Sequence, residues 1–390
     1  MNALERRDAI IVGGGPAGST LARALTGAGM SVTVLDKRSF PRDKTCAGWI
    51  TPAVIASLQL DAGEYRGSGR VLQPIRAFRV ARMGAAPVQN DHGPAPVSYG
   101  IRRCEFDHFL LARSGAELRT GTALETFERV GSEWIVNGTL RTPLLVGAGG
   151  HFCPVARALG AELGRGEPVV GAQEFEVRMS AAQAARTPLR GDTPQLYFCP
   201  DLAGYAWVVR KGDWLNVGIG RRGPRQLAGH FERFLAALVR DGTLEEDLAR
   251  ARPSGHAYLL YAHAARPLTA DGALLIGDAA GLAYPESGEG IRPAVESALL
   301  AAETIRASGG DFSRGGLAGY ARAIEQRYGA RTAAARANAP LPGRLEKFAA
   351  AVLMRSRWFT REIVTRRWFL HEHVAPLRAW DCRPLQAALV

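Results

Sequence analysis

The chain has 390 residues, a formal net charge of +12 and five cysteines. A hydrophobic content of 47% and a charged content of 22% are those of a globular protein and exclude a disordered, fibrous or collagen-like chain. The length allows two or three domains, or one large α/β domain carrying an insertion.

In chain order, Glu5-Arg-Arg-Asp8 leads straight into Ala-Ile-Ile-Val12, which predicts a short buried strand and no secretory leader. Gly13-Gly-Gly-Pro-Ala-Gly18 predicts a tight turn. Residues 16–28 then place Leu21, Ala22, Leu25 and Ala28 on one helical face. Residues 31–36 predict a second strand ending in Asp36. The stretch DKTCAGWITP at 43–52 is polar and turn-forming, and holds Lys44, Cys46 and Gly48 together. Residues 70–100, with Pro74, Pro87, Pro94 and Pro96, predict strands and loops. A helix is expected over 103–118, then a hairpin and a buried strand over 132–148. Residues 169–220 are strand-rich, with a hairpin turning at Lys211-Gly-Asp213. Residues 225–250 predict a helix, 273–280 a buried strand and 291–307 an alanine-rich helix. Beyond Pro342 the chain is expected to be helical, basic and aromatic to its end. No uncharged apolar run approaches the ~18 residues that a membrane span needs.

The odd cysteine count, with no C-x-x-C, points to a reducing compartment without a disulfide framework or zinc knuckle. Only Lys37, Lys44, Lys211 and Lys347 are lysines, so arginine carries nearly all the positive charge. A basic surface attracts anions: nucleotide phosphates, diphosphates or anionic lipid. The basic residues form no nucleic-acid module, so nucleic-acid binding is not expected. His371-Glu-His373 places two imidazoles at i, i+2, where they diverge on a helix; surface solvation is expected and no metal site.

Gly13-x-Gly15-x-x-Gly18 between a strand and a helix, with Asp36 ending the next strand, is a dinucleotide fingerprint in its proper context. The glycines let backbone approach a pyrophosphate, Pro16 and Ala17 open a helix whose free N–H groups stabilise its charge, and Asp36, followed by Lys37, can take the adenosine ribose. A second constellation lies at 271–300. There Asp278 can accept a ribityl hydroxyl. Pro285, Gly288, Glu289 and Gly290 bring backbone close to a flat ligand, and the helix beginning near Ile291 favours an anionic ring such as reduced flavin. The pair points to FAD.

RRCEFD at 102–107, VGAGGHFCPVAR at 146–157 and GDAAGLAYPESGEGIRPAVESA at 277–298, with the fingerprint, resemble the FAD-binding aromatic-hydroxylase fold. Lys44-x-Cys46-x-Gly48, Tyr205-x-Trp207 and Asn216-Val-Gly-Ile-Gly220 resemble the geranylgeranyl reductase family within it. The resemblance spans residues 8 to about 305. It implies that Gly13, Gly15, Gly18 and Asp36 hold the adenosine diphosphate end and that Arg103 reaches the middle of FAD. It further implies that Asp278 holds the ribityl chain, that Gly288–Ile291 face the pyrimidine edge, and that Cys46 and Trp207 line the reactive cavity. Two departures stand out. Val209-Arg210 replaces a Phe-Pro after Trp207, and Gly149-Gly150 replaces an Asp-Gly linked to reduction by NADPH.

Two readings of Cys46 remain open: a proton donor to carbon, favoured by the neighbouring Lys44, or an inert space-filler under the ring. Tyr205 and Trp207, at i and i+2 of a strand, share one face and either wall a cavity or pack a core. Cys104, Cys153 and Cys199 are expected to pack. The C-terminal run is either a cap over the substrate cavity or an interfacial helix on anionic lipid.

The expected architecture is α/β. A Rossmann-like FAD-binding domain (1–69, 100–165, 266–340) carries an antiparallel-sheet substrate domain (70–99, 166–265) and a C-terminal helical segment (341–390). The expected function is FAD-dependent reduction of C=C bonds in an isoprenoid or other lipophilic substrate, with NADPH or reduced ferredoxin as electron source. The location expected is cytoplasmic, with peripheral membrane contact. The alternatives are a monooxygenase or halogenase of the same fold and a non-enzymatic flavin-binding electron carrier or membrane-surface protein; the W-x-W-x-I-P segment usual in such halogenases is absent.

Overall fold

The computed structural model describes residues 4–162, 168–223, 226–331 and 343–377. Ala9–Val12, an unbroken apolar run, forms a strand buried on both faces at the centre of a six-stranded sheet. The sheet runs in the order 269–270, 273–275, 145–147, 9–12, 32–36 and 117–120. All neighbours are parallel except the edge pair Thr269–Ala270 and Ala273–Leu275. Helix Pro16–Gly27 follows the first strand, with Pro at its first turn and Gly15 as N-cap. It packs beside the long helix Ile291–Ala307, whose alanines at 294, 298, 301 and 302 are buried and permit close approach.

A second, seven-stranded sheet is built wholly from residues 77–91 and 170–258. Its centre is the antiparallel trio Val170–Arg178, Trp214–Arg222 and Gly204–Lys211. The hairpin turns where expected, with Lys211 paired to Trp214. One face packs on helix Leu227–Arg240 through Phe231, Phe234 and Leu238. The other face carries the aromatic cluster described below. Smaller sheets join 5–6, 140–142, 133–136 and 127–130, and 49–50, 98–101 and 72–75.

Three expectations need correction. The helix over 103–118 stops at Ala112, and Glu117–Thr120 instead pairs in parallel with Val32–Asp36, where closing the sheet edge outweighs helical continuation. The strand over 273–280 stops at Leu275; the chain turns at Gly277 (φ +59°) into a single 3₁₀ turn, Gly277–Ala280. Asp278 therefore sits on that turn and not at a strand end. The C-terminal run divides into α-helix Arg344–Leu353 and a π-helix, Phe359–Phe369, in which Leu370 N–H donates to Thr365 O at 2.9 Å. The remainder of that run, 378–390 with Cys382, lies outside the described residues.

Candidate active site

Two helices begin side by side at the same end of the six-stranded sheet. Gly277 lies between them: a methyl group there would meet Ala17 at 3.0 Å and Ala294 at 3.4 Å. Both helices are N-capped by glycine, Gly15 and Gly290, with no side-chain cap. At Gly15 the first-turn N–H groups are thus left for another acceptor, while at the other start the buried Glu289 carboxylate stands beside Arg292 N–H. Gly18 packs on the Gly13 carbonyl so closely that any Cβ would overlap it. Above Gly15 the nearest group is the Arg42 guanidinium, at 3.6 Å from where a Cβ would stand. Asp36 closes the turn, its Oδ2 accepting from Gly14 N–H at 2.8 Å and its Oδ1 from Arg38 N–H at 2.9 Å. Lys37 is exposed beside it. An uncapped helix start, a Cβ-free approach and an arginine fit a bound pyrophosphate.

Asp278 stands at the second helix start, with Gly290 against its Oδ1 (3.0 Å from a built Cβ) and Ile291 buried behind. Its Oδ2 lies 3.4 Å from His256 Nε2. Burial pushes the Asp278 carboxyl up, but the His256 contact and the charges of Lys44 and Arg103 outweigh it and hold the pKa at about 2. Lys44 is half-buried; burial lowers its pKa to about 8, against the pull of Asp278. Arg103 grips Asp107 with two bonds, at 2.8 and 2.7 Å, and lies near the Cys46 side chain. Asp107 is fully buried and takes Arg42 as a second partner at 3.2 Å.

The Cys46 loop is clamped to the second sheet. Cys46 N–H donates to Glu174 Oε1 at 3.3 Å, and Cys46 O accepts from Asn216 Nδ2 at 3.2 Å. Asn216 Nδ2 also donates to Glu174 Oε2, and Asn216 Oδ1 accepts from Trp207 Nε1 at 2.7 Å. Burial raises the Glu174 pKa to about 7 in spite of nearby Lys211. Lys211, fully buried, pairs with Glu176 at 2.8 Å. Gly48 adopts φ +66°, and a Cβ there would overlap both Ile101 O and Lys211 Nζ. Its close approach in the structure is thus to the protein's own backbone and lysine.

Tyr205 and Trp207 share a face, as expected, with ring centroids 6.0 Å apart. Trp207 is buried among Trp49, Phe78, Phe198 and Phe369, and the Tyr205 ring meets Phe369 edge-on at 5.0 Å. The π-helix from the C-terminal run therefore covers this aromatic cluster. Tyr205 O–H donates to Ser287 O at 2.5 Å, which ties the aromatic face to the loop after Pro285. Gly288 in that loop lies against the Tyr258 hydroxyl.

The structure thus brings together Cys46, Lys44, Arg103, Asp278 and the Tyr205 face, which lie far apart in sequence. Sequence reasoning missed His256, Tyr258, Glu174 and the fixing role of Asn216. His256 and Tyr258 stack at 6.3 Å on one face of strand Ser254–Tyr258, and period-two alternation was the available signal. His371 corrects a further expectation: it is buried, stacked on Tyr284 at 3.7 Å, and burial with the Arg292 charge lowers its pKa to about 3. It packs where solvation was expected, because the chain turns at residue 371 (φ +47°). Cys153 and Cys199 are buried, Cys104 is half-buried, and all three are free thiols. Among the described residues no group of three or more metal-ligating side chains gathers.

Residues 6–327 match the FAD binding domain family. The chain belongs to that family. It is an FAD-dependent oxidoreductase of the geranylgeranyl reductase branch. Menaquinone reductase of Mycobacterium tuberculosis H37Rv is 30% identical over 332 residues, 78% of each chain. Digeranylgeranylglycerophospholipid reductase 3 of Methanosphaera stadtmanae is 26% identical over 344 residues, 83% of each chain. Among solved structures, a geranylgeranyl bacteriochlorophyll reductase-like protein of Thermoplasma acidophilum superposes with TM-score 0.70 at 19% identity, covering 97% of this chain and 95% of that one. Pseudomonas aeruginosa PqsL superposes with TM-score 0.66 at 20% identity, covering 89% and 100%. At such identities these two likenesses show the fold of this FAD-binding family and not its chemistry.

Proposed function

We propose that this FAD-binding enzyme reduces carbon–carbon double bonds in the isoprenoid chain of a lipophilic substrate, of the class carried by menaquinones and geranylgeranyl lipids. The observation that carries the reading is the clamped thiol: Cys46 is fixed at both its backbone N–H and C=O beside Arg103, close to Tyr205 and to the loop expected to meet the flavin edge. Gly13, Gly15, Pro16, Ala17 and Gly18 would hold the pyrophosphate, with Asp36 and Lys37 at the adenosine end. Arg103 would hold the centre, Asp278 the ribityl chain, and Pro285, Gly288, Gly290 and Ile291 the ring edge. Bound FAD supplies the hydride equivalent that one carbon of the double bond receives.

The chain's residues do the rest. Cys46 gives a proton to the other carbon, so that one C=C becomes CH–CH and a thiolate remains. Lys44, whose pKa of about 8 lies near neutrality, stabilises that thiolate and can return its proton. Tyr205 presents flat apolar surface to the chain of the substrate, Trp207 packs buried behind it, and the covering π-helix excludes water. Electrons come from NADPH or from reduced ferredoxin. Gly149 supports the protein donor: it packs 3.3 Å (from a built Cβ) from Cys153 Sγ and offers no carboxylate where the family has one.

Product analysis tests the reading. Chemically reduced holoenzyme incubated without oxygen with a menaquinone should yield a product heavier by two hydrogens per saturated bond. A product carrying added oxygen, formed on admitting air, would instead establish the monooxygenase alternative.

A further inference from the structure

Eight large hydrophobic side chains stand exposed among the described residues. Five of them, Leu345, Phe348, Val352, Leu353 and Trp358, fall within one short segment, with exposures from 44% to 85%. On helix Arg344–Leu353, positions 345, 348 and 352 recur at i, i+3 and i+7 and form one stripe, with 353 at its edge. Met354 continues the helix, its N–H bonded to Ala350 O at 2.9 Å, and falls on the opposite side. It is buried in the aromatic cluster with Val364 and Phe369. The helix is therefore seated on the protein by its other face, and its apolar stripe points away from the molecule. A soluble surface has no use for such a concentration of large apolar groups.

The surrounding charge selects the occupant. Residues 344–361 carry five Arg/Lys and one Asp/Glu. Arg355 and Arg357 are exposed at the margin of the stripe, and Arg357 has only a distant ion pair with Asp91, 3.8 Å. A second copy of this chain would bring the same cations together across a two-fold axis, where they repel. An anionic bilayer complements both features: acyl chains for the stripe and headgroup phosphates for the arginines.

We propose that residues 345–358 form a docking surface that lies on an anionic lipid bilayer, independent of which bond the enzyme reduces. The segment runs directly into the π-helix that covers Tyr205 and Trp207. Docking thus places the cover of the aromatic cluster next to the bilayer, from which a lipid-borne substrate can pass without crossing water.

The test is flotation of the FAD-loaded full chain with vesicles of phosphatidylcholine alone or mixed with phosphatidylglycerol, with gel filtration in the same buffer. The protein should float with the mixed vesicles and release in high salt. Arg355→Gln with Arg357→Gln should lower the partition coefficient by roughly thirtyfold, about fivefold for each arginine near an anionic surface. Phe348→Ser with Trp358→Ser should lower it by at least about tenfold. FAD content should stay unchanged in both variants. Failure to float with either vesicle, or flotation indifferent to both variants, overturns the proposal. So does a dimer in gel filtration that the apolar variant splits, since the stripe would then be a self-association surface.

Discussion

Cys46 is held by two side chains from strands that lie far along the chain. Glu174 takes its N–H, Asn216 takes its C=O, and Asn216 also fixes Trp207. Cys46→Ser keeps the size of the side chain and this backbone clamp but replaces a thiol with a much weaker acid. It should lower the rate of substrate reduction by about a hundredfold or more, the usual worth of a placed general acid, while leaving the flavin spectrum unchanged. Full turnover in single-cycle kinetics would leave Cys46 as a packing residue.

Glu174 gives a second residue-scale prediction. Its folded pKa of about 7 lies above the ordinary value of 4.5. Such an acid favours the fold at low pH and loses that contribution as pH rises through 7. The protein should therefore lose stability, on the order of 3 kcal/mol from this residue, between pH 5 and pH 8. Glu289, also raised to about 7 by burial, acts in the same direction. In Glu174→Gln, thermal unfolding should show a flatter decline over that range. A slope equal to the parent's would contradict the assignment. At pH 5 the variant should be the less stable, because its amide turns one acceptor into a donor facing Asn216.

At the scale of elements, the C-terminal run is strapped to the helix that starts beside Asp278. Arg292 is buried and donates to Glu296 at 2.9 Å, to His371 O at 3.3 Å and to Val374 O at 2.7 Å. Arg327 supports the same carboxylate and reaches Ala375 O at 2.6 Å. Arg292→Met removes the donor to His371 O and Val374 O and one of the partners of Glu296, whose charge Arg327 and Tyr328 still satisfy, a loss of about 1–3 kcal/mol. Limited proteolysis should then cut the run after Gly343 well before the sheets. Cleavage no faster than in the parent would mean that the aromatic packing of Phe369 alone holds the cover down.

A second element-scale prediction concerns Gly48. Alanine there meets both a left-handed backbone and the Ile101 carbonyl, and should cost at least about 2 kcal/mol in thermal unfolding. A change under about 0.5 kcal/mol would show that the loop relaxes freely. The elements themselves were partly legible. The first strand, turn and helix follow from a continuous apolar run, glycine spacing and 3.6-residue periodicity, all local signals. The helix expected over 103–118 ran too long because the pairing that ends it comes from a strand some eighty residues earlier.

Across the whole molecule, the residues proposed to hold FAD were legible because each sits in a motif that carries its own geometry. Gly13, Gly18, Asp278 and Gly290 needed no partner to be noticed. Glu174, Asn216, His256 and His371 were not legible as a site, since each acquires meaning only from a neighbour on another element. The aromatic pair Tyr205–Trp207 was read as wall or core. The structure buries Trp207 and joins Tyr205 to the loop at Ser287, and the π-helix closes over both.

In the proposed function, the two glycine-capped helix starts receive FAD and the backbone-clamped Cys46 serves the substrate beside the Tyr205 face. The most direct measurement is mass spectrometry of a menaquinone after anaerobic incubation with chemically reduced holoenzyme, run beside Cys46→Ser. The account predicts a gain of two hydrogens per saturated bond in the isoprenoid chain, nearly absent in the variant. An isoprenoid chain returned unchanged by the parent enzyme, or a product bearing oxygen once air is admitted, would contradict it.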